Sequence, residues 1–120
     1  MSVKSFSEMT YYNALALKRL GRTEEAEKLL RDLLRYAEAL AEQPVKIDYF
    51  ATSLPAMLLF EDDLKKRNRM TATFLQAQAR LGLGEIVTAQ ELLGQVLRLD
   101  RNHALAADLL AEIEATPAVV

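Results

Sequence analysis

The chain contains no cysteine. That excludes disulfide bridges, a thiolate-held metal and a cysteine nucleophile in one step. Glycine and proline are scarce, four and three in 120 residues, which argues against a turn-rich β architecture and against disorder. An excess of one charge is missing as well: 15 basic residues stand against 17 acidic ones, for a net charge of −2. So balanced a surface gives no electrostatic basis for binding nucleic acid or an anionic membrane. Long apolar runs are lacking too. The longest, Ala56-Met57-Leu58-Leu59-Phe60, is about a turn and a half of helix and far short of a membrane span. Met1 to Tyr12 holds no stretch apolar enough for a signal peptide, so a cytoplasmic location is expected.

What remains is the composition of a foldable helical chain. Hydrophobic residues make up 51% and charged residues 27%, enough to bury a core and keep a solvated surface. The length suits one domain.

Helical periodicity runs through most of the chain. From Lys4 to Leu20, Phe6, Met9, Tyr12, Ala16 and Leu20 fall on one face at helical spacing. Gly21 follows as a helix stop, with Lys18 and Arg19 in the last turn, where cations suit the dipole. Thr23 is the expected N-cap of the next helix, with Glu24 and Glu25 behind it. Ala26, Leu29, Leu30, Leu33, Leu34, Ala37 and Leu40 then form a wide apolar stripe. Glu24–Lys28 and Glu27–Arg31 are spaced to pair on the outer surface. Pro44 sets the end of this helix near Glu42.

Residues 43–60 keep no single period. Ile47, Tyr49, Phe50, Leu54 and Met57 mark an ordered connector with a helical turn or two, Pro55 sitting in one first turn. Glu61-Asp62-Asp63 is expected to open a long helix to about Leu81. Its three acids would suit the dipole and pair with Lys65, Lys66 and Arg67. Gly82 and Gly84 break it. A helix from Glu85 to Leu99 and a last one from His103 to about Ala115 follow, separated by the Asp100-Arg101-Asn102 turn. The tail after Thr116 is expected to fray.

The chain also repeats itself. Shifted forward by 63 positions, Tyr11 falls on Phe74, Tyr12 on Leu75, Ala14 on Ala77 and Ala16 on Ala79. Gly21 falls on Gly84 and Ala26 on Ala89, while Leu29, Leu30, Leu33 and Leu34 fall on Leu92, Leu93, Val96 and Leu97. The shared spacing has a physical cause. Glycine permits the tight turn, and a small alanine lets the second helix approach the first.

Ala14-x-Ala16, Gly21, Ala26 and Leu33, with Ala77-x-Ala79, Gly84, Ala89 and Val96, resemble the tetratricopeptide repeat. Leu99-Asp100-Arg101-Asn102 looks like that repeat's closing turn, with Arg101 where the family usually has proline. Thr10 and Thr73 depart from the large aromatic the family often carries there, and Asn13 and Gln76 stand where leucine is usual. Adjacent repeats of the family lie about 34 residues apart, so the spacing here leaves a regular superhelix unassured. Lys46-Ile47-Asp48-Tyr49-Phe50-Ala51-Thr52-Ser53-Leu54-Pro55, with Phe60-Glu61-Asp62-Asp63-Leu64, resembles the C-terminal repeat region of large bacterial proteins. Those carry an uncharacterised, sugar-enzyme-like domain ahead of their repeats. That resemblance implies an excised portion whose chemistry lies elsewhere.

Candidate catalytic groups are thin. His103 is the only histidine and stands at a helix start with no partner ligands nearby in sequence. Glu61-Asp62-Asp63 point in three directions around a helix and cannot converge. Gly82-Leu83-Gly84 lacks the third glycine, the Lys-Ser/Thr pair and the preceding strand of a phosphate loop. The basic run Lys65-Lys66-Arg67 with Arg69 lacks the interleaved aromatics of a nucleic-acid surface. Some tetratricopeptide proteins hold a C-terminal carboxylate with lysine, asparagine and arginine. The matching face here offers Glu8, Tyr11, Tyr12, Leu15, Thr71, Leu75 and Gln78, which predicts against that activity.

The reading is therefore an all-α fold of tetratricopeptide-like helical hairpins. Hairpin 1 spans about 4–42, the connector 43–60, hairpin 2 about 61–99, and a capping helix 103–115. The expected function is a non-catalytic module that holds another protein or another domain of the same chain. Tyr11, Tyr12, Tyr49 and Phe50 are the expected contacts, since aromatics anchor interfaces. The alternative is a docking or cover domain of a larger bacterial carbohydrate-active enzyme. No cofactor, metal, nucleic acid or membrane is expected. About three repeats are normally needed to bury a repeat core. Two suffice if the connector adds apolar surface; otherwise two copies pair as a homodimer.

Overall fold

A reciprocal cap starts the first helix. In the computed structural model, which describes residues 6–42 and 54–115 and the side chains outside 54–62, Ser7 Oγ accepts from the Met9 N–H at 3.1 Å. The Ser7 N–H donates back to Thr10 Oγ1 at 3.0 Å. This capping box satisfies donors that a helix start would leave orphaned. It gives Thr10 a role of its own at the start of the helix. Helix α1 then runs Glu8–Arg19.

The exit of α1 is a double-bonded glycine turn. The Gly21 N–H reaches Lys18 O at 3.0 Å and the Arg22 N–H reaches Leu17 O at 2.9 Å. Gly21 has φ +80°, a left-handed conformation that costs an L side chain. Helix α2, Thr23–Glu42, follows directly. The Ala26 N–H bonds to Arg22 O, so Thr23 is the first helical residue rather than the cap. Of the expected surface pairs, Glu27–Arg31 forms at 3.8 Å.

Helix α3, Leu54–Gly82, is longer than expected. It begins seven residues before Glu61, inside the stretch read as connector. Pro55 is tolerated because the first-turn N–H it lacks has no helical partner anyway. The acids 61–63 therefore lie in the helix interior, and their dipole rationale falls away. The rest of the connector, with Tyr49 and Phe50, lies outside the described residues, as do Met1–Ser5 and the tail after Ala115.

The second hairpin closes like the first. The Gly84 N–H reaches Leu81 O at 3.0 Å and the Glu85 N–H reaches Arg80 O at 2.9 Å. Gly84 has φ +89°. Each of these bonds is the first hairpin's bond moved forward by 63 positions. Helix α4 spans Ile86–Leu99 and α5 spans Ala104–Ala115. The described residues contain no strand.

The helices pack in chain order, α1 on α2, α2 on α3, α3 on α4 and α4 on α5, and α1 also touches α3. The central element is thus α3. The core is the expected leucine face: Leu30, Leu33, Leu93 and Val96 are fully buried. So are Ala14, Ala26, Ala77 and Ala89, where lack of bulk sets the helix–helix distance. Gly82 lies inside α3, not in a break. A Cβ there would stand 2.7 Å from both Leu30 methyls, so its bareness lets α2 seat against α3. Lys18 Nζ donates to Gly82 O at 2.5 Å, placing a cation on the carbonyl end of α3. The molecule is a slab, 57 × 39 × 18 Å.

One expectation about α1 is reversed. The periodic stripe Met9, Tyr12, Ala16 and Leu20 faces outward, with Met9 59% and Leu20 72% exposed. The buried face is Thr10, Tyr11 and Ala14. This helix carries apolar side chains on two faces, so periodicity alone selected the wrong one.

Candidate protein-binding surface

The four aromatics expected as contacts separate. Tyr11 and Tyr12 are neighbours in sequence, about 100° apart around α1. Tyr11 points into the core and is 6% exposed. Burial pushes its phenol pKa up, and the nearby Glu112 carboxylate and Tyr12 push the same way. Its ring is committed to packing and is not available at a surface. Tyr12 is 43% exposed and meets Tyr11 edge-on, with ring centroids 5.2 Å apart. Of the two, it alone presents an aromatic surface to a partner. Tyr49 and Phe50 lie outside the described residues.

The face weighed above for holding a carboxylate is partly closed. Tyr11, Leu75 and Gln78 are buried, Leu15 is half-buried, and Glu8, Tyr12 and Thr71 are exposed. Gln78 is fully buried on α3 and donates through Nε2 to Glu8 O at 3.2 Å, tying α3 to α1. Among the described residues its Oε1 has no hydrogen-bond partner.

The remaining polar candidates have structural employment. His103 Nδ1 accepts the Ala106 N–H at 3.1 Å and so caps α5. Its ring also lies 5.1 Å from that of Phe74. Nothing in the sequence short of the helix boundary announced that role. Thr73 Oγ1 donates to Arg69 O at 2.7 Å within α3, so Thr73, like Thr10, makes a local bond. Asp100 Oδ1 accepts the Asn102 N–H at 2.9 Å and shapes the turn before α5. Arg80 pairs with Glu85 at 2.9 Å across the Gly84 turn.

Concavities are shallow and lie on the outer surface. One of about 370 Å³ is lined by Leu17, Glu25, Lys28, Leu29 and Asp32, between α1 and α2. Another of about 280 Å³ is lined by Arg69, Thr73, Gln95, Arg98 and Leu99. Neither brings an acid, a base and a nucleophile together. Among the described residues no three His, Asp or Glu side chains gather where they could hold a metal ion. No described helix is long and apolar enough to cross a membrane.

Compared with known proteins, the chain matches no family model and no solved structure.

Proposed function

We propose that this chain is a non-catalytic protein-interaction module built from tetratricopeptide-like hairpins. The observation that carries the reading is the bond-for-bond repetition of the Gly21 and Gly84 turns, 63 residues apart, over alanine-notched helix pairs. Stacked hairpins present broad, rigid, continuous surfaces, and such repeats work by holding other proteins. The polar side chains support the same reading. Those nearest the core are engaged in caps and helix-to-helix ties, which leaves surface shape as the working property. Tyr12 is the aromatic best placed to anchor a partner.

A quantitative pulldown with the purified chain tests the proposal. The bait is compared with a Tyr12→Ala variant of equal helicity. A discrete protein held by the wild type and lost from the variant is the expected result. Identical captured sets, or none above a blank resin, would reject Tyr12 as the anchor. Turnover of a defined substrate by the purified chain would reject the non-catalytic reading itself.

A further inference from the structure

The internal repeat reveals what the outward face of α1 is built to do. Moved forward by 63 positions, Met9, Tyr12 and Ala16 become Ala72, Leu75 and Ala79. Those three residues are at most 2% exposed, on α3, the helix that packs against both α1 and α2. In the first hairpin the same positions carry Met9, Tyr12 and Ala16, all open to solvent. Leu20 extends this surface by a further turn and is 72% exposed. A helix apolar on both faces belongs in an interior. The exposed face of α1 therefore has the composition and register of a stacking face without the layer that covers it.

We infer that this face pairs with the same face of a second copy of the chain, the two α1 helices lying antiparallel about a two-fold axis. The face is self-complementary in that arrangement. Met9, Asn13, Ala16 and Leu20 form one stripe, at steps of four, three and four residues. Antiparallel pairing sets Met9 of one copy against Leu20 of the other, and Asn13 against Ala16. Large side chains then meet at the ends, while the small alanine makes room at the centre. The charges agree as well. Glu8 and Arg19 lie on one flank at opposite ends of α1, so the antiparallel register brings each within side-chain reach of the opposite charge on the other copy. Two-fold self-pairing is also the commonest closed symmetry for identical chains. This inference goes beyond the interaction-module reading: pairing would cover Tyr12 and so compete with a partner anchored there, and its test reads self-association through Ala16 and Leu20 rather than the capture of a different protein.

Sedimentation equilibrium of the full chain over a wide concentration range tests it. The wild type should reach twice the chain mass and stop there. Ala16→Glu should shift the dissociation constant by at least about tenfold toward monomer, with helicity unchanged because the position is exposed. Leu20→Lys serves as a second variant at the other end of the stripe. Glu8→Arg and Arg19→Glu should each weaken the dimer, and the double exchange should restore it. A wild type that stays monomeric at its highest soluble concentration overturns the inference. So does a dimer indifferent to both Ala16→Glu and Leu20→Lys, or a double exchange that fails to recover what the single changes lost.

Discussion

The two hairpins share a turn and differ in what lies against them. Gly21 and Gly84 hold the same conformation and the same bonds. Positions next to those turns have opposite fates: Ala79 is fully buried, and its counterpart Ala16 is exposed. Local chemistry thus sets how a helix pair closes, and neighbours set which of its faces is core. Gly82 sharpens the contrast. Its counterpart in the first hairpin is Arg19, an exposed cation, whereas Gly82 is buried against Leu30.

The strongest way to break this comparison is to truncate one pair of equivalent positions. Leu75 is 2% exposed, and Leu75→Ala should cost about 2–5 kcal/mol in urea unfolding. The equivalent Tyr12→Ala should cost less than about 1 kcal/mol, chiefly the edge-on contact with Tyr11. Equal losses would mean that the two faces are not differently buried. Next in size, Gly21→Ala and Gly84→Ala should each cost roughly 1–2 kcal/mol through the positive φ alone. No atom lies within 4 Å of a Cβ at either site, so the two losses should agree to within about 0.5 kcal/mol. A large disparity would show that the turns are not equivalent. The smallest effect concerns pH. The Tyr11 phenol is raised above its ordinary value of 10.0, so the folded state keeps a proton that the unfolded chain releases. Stability should be full below about pH 10 and fall as pH rises beyond it toward the folded value. Alkaline melts should show this loss in the wild type and a shallower one in Tyr11→Phe.

Much of this architecture was legible in the residues. The Gly–four residues–Ala spacing located both turns and both close helix contacts, because each feature follows from one residue's size or backbone freedom. The leucine stripe of α2 was legible for the same reason: a single wide apolar face leaves no choice of orientation. Helix α1 offered a choice. Tyr11 and Tyr12 are equally good core residues, and only the packing of α1 on α2 and α3 decides between them. Those contacts are long-range and leave no local mark. The start of α3 was obscured by Pro55, which reads as a break unless its place in a first turn is known. His103 and Thr10 were visible as polar residues near helix starts. Their capping roles depend on where each helix begins, to within one residue, and sequence periodicity does not resolve that.

Two glycines separated by one residue are required for unrelated reasons. At position 84 the demand comes from the backbone's own twist, and the space beyond is open. Asparagine, which tolerates the left-handed region, is an acceptable replacement there. At position 82 the backbone is ordinary helix and the demand comes from Leu30 on another element. No side chain answers it, however flexible its backbone preferences. Random mutagenesis of this short stretch would therefore recover a small alphabet at one site and a single letter at the other. A second-site change that trims Leu30 would reopen only the latter.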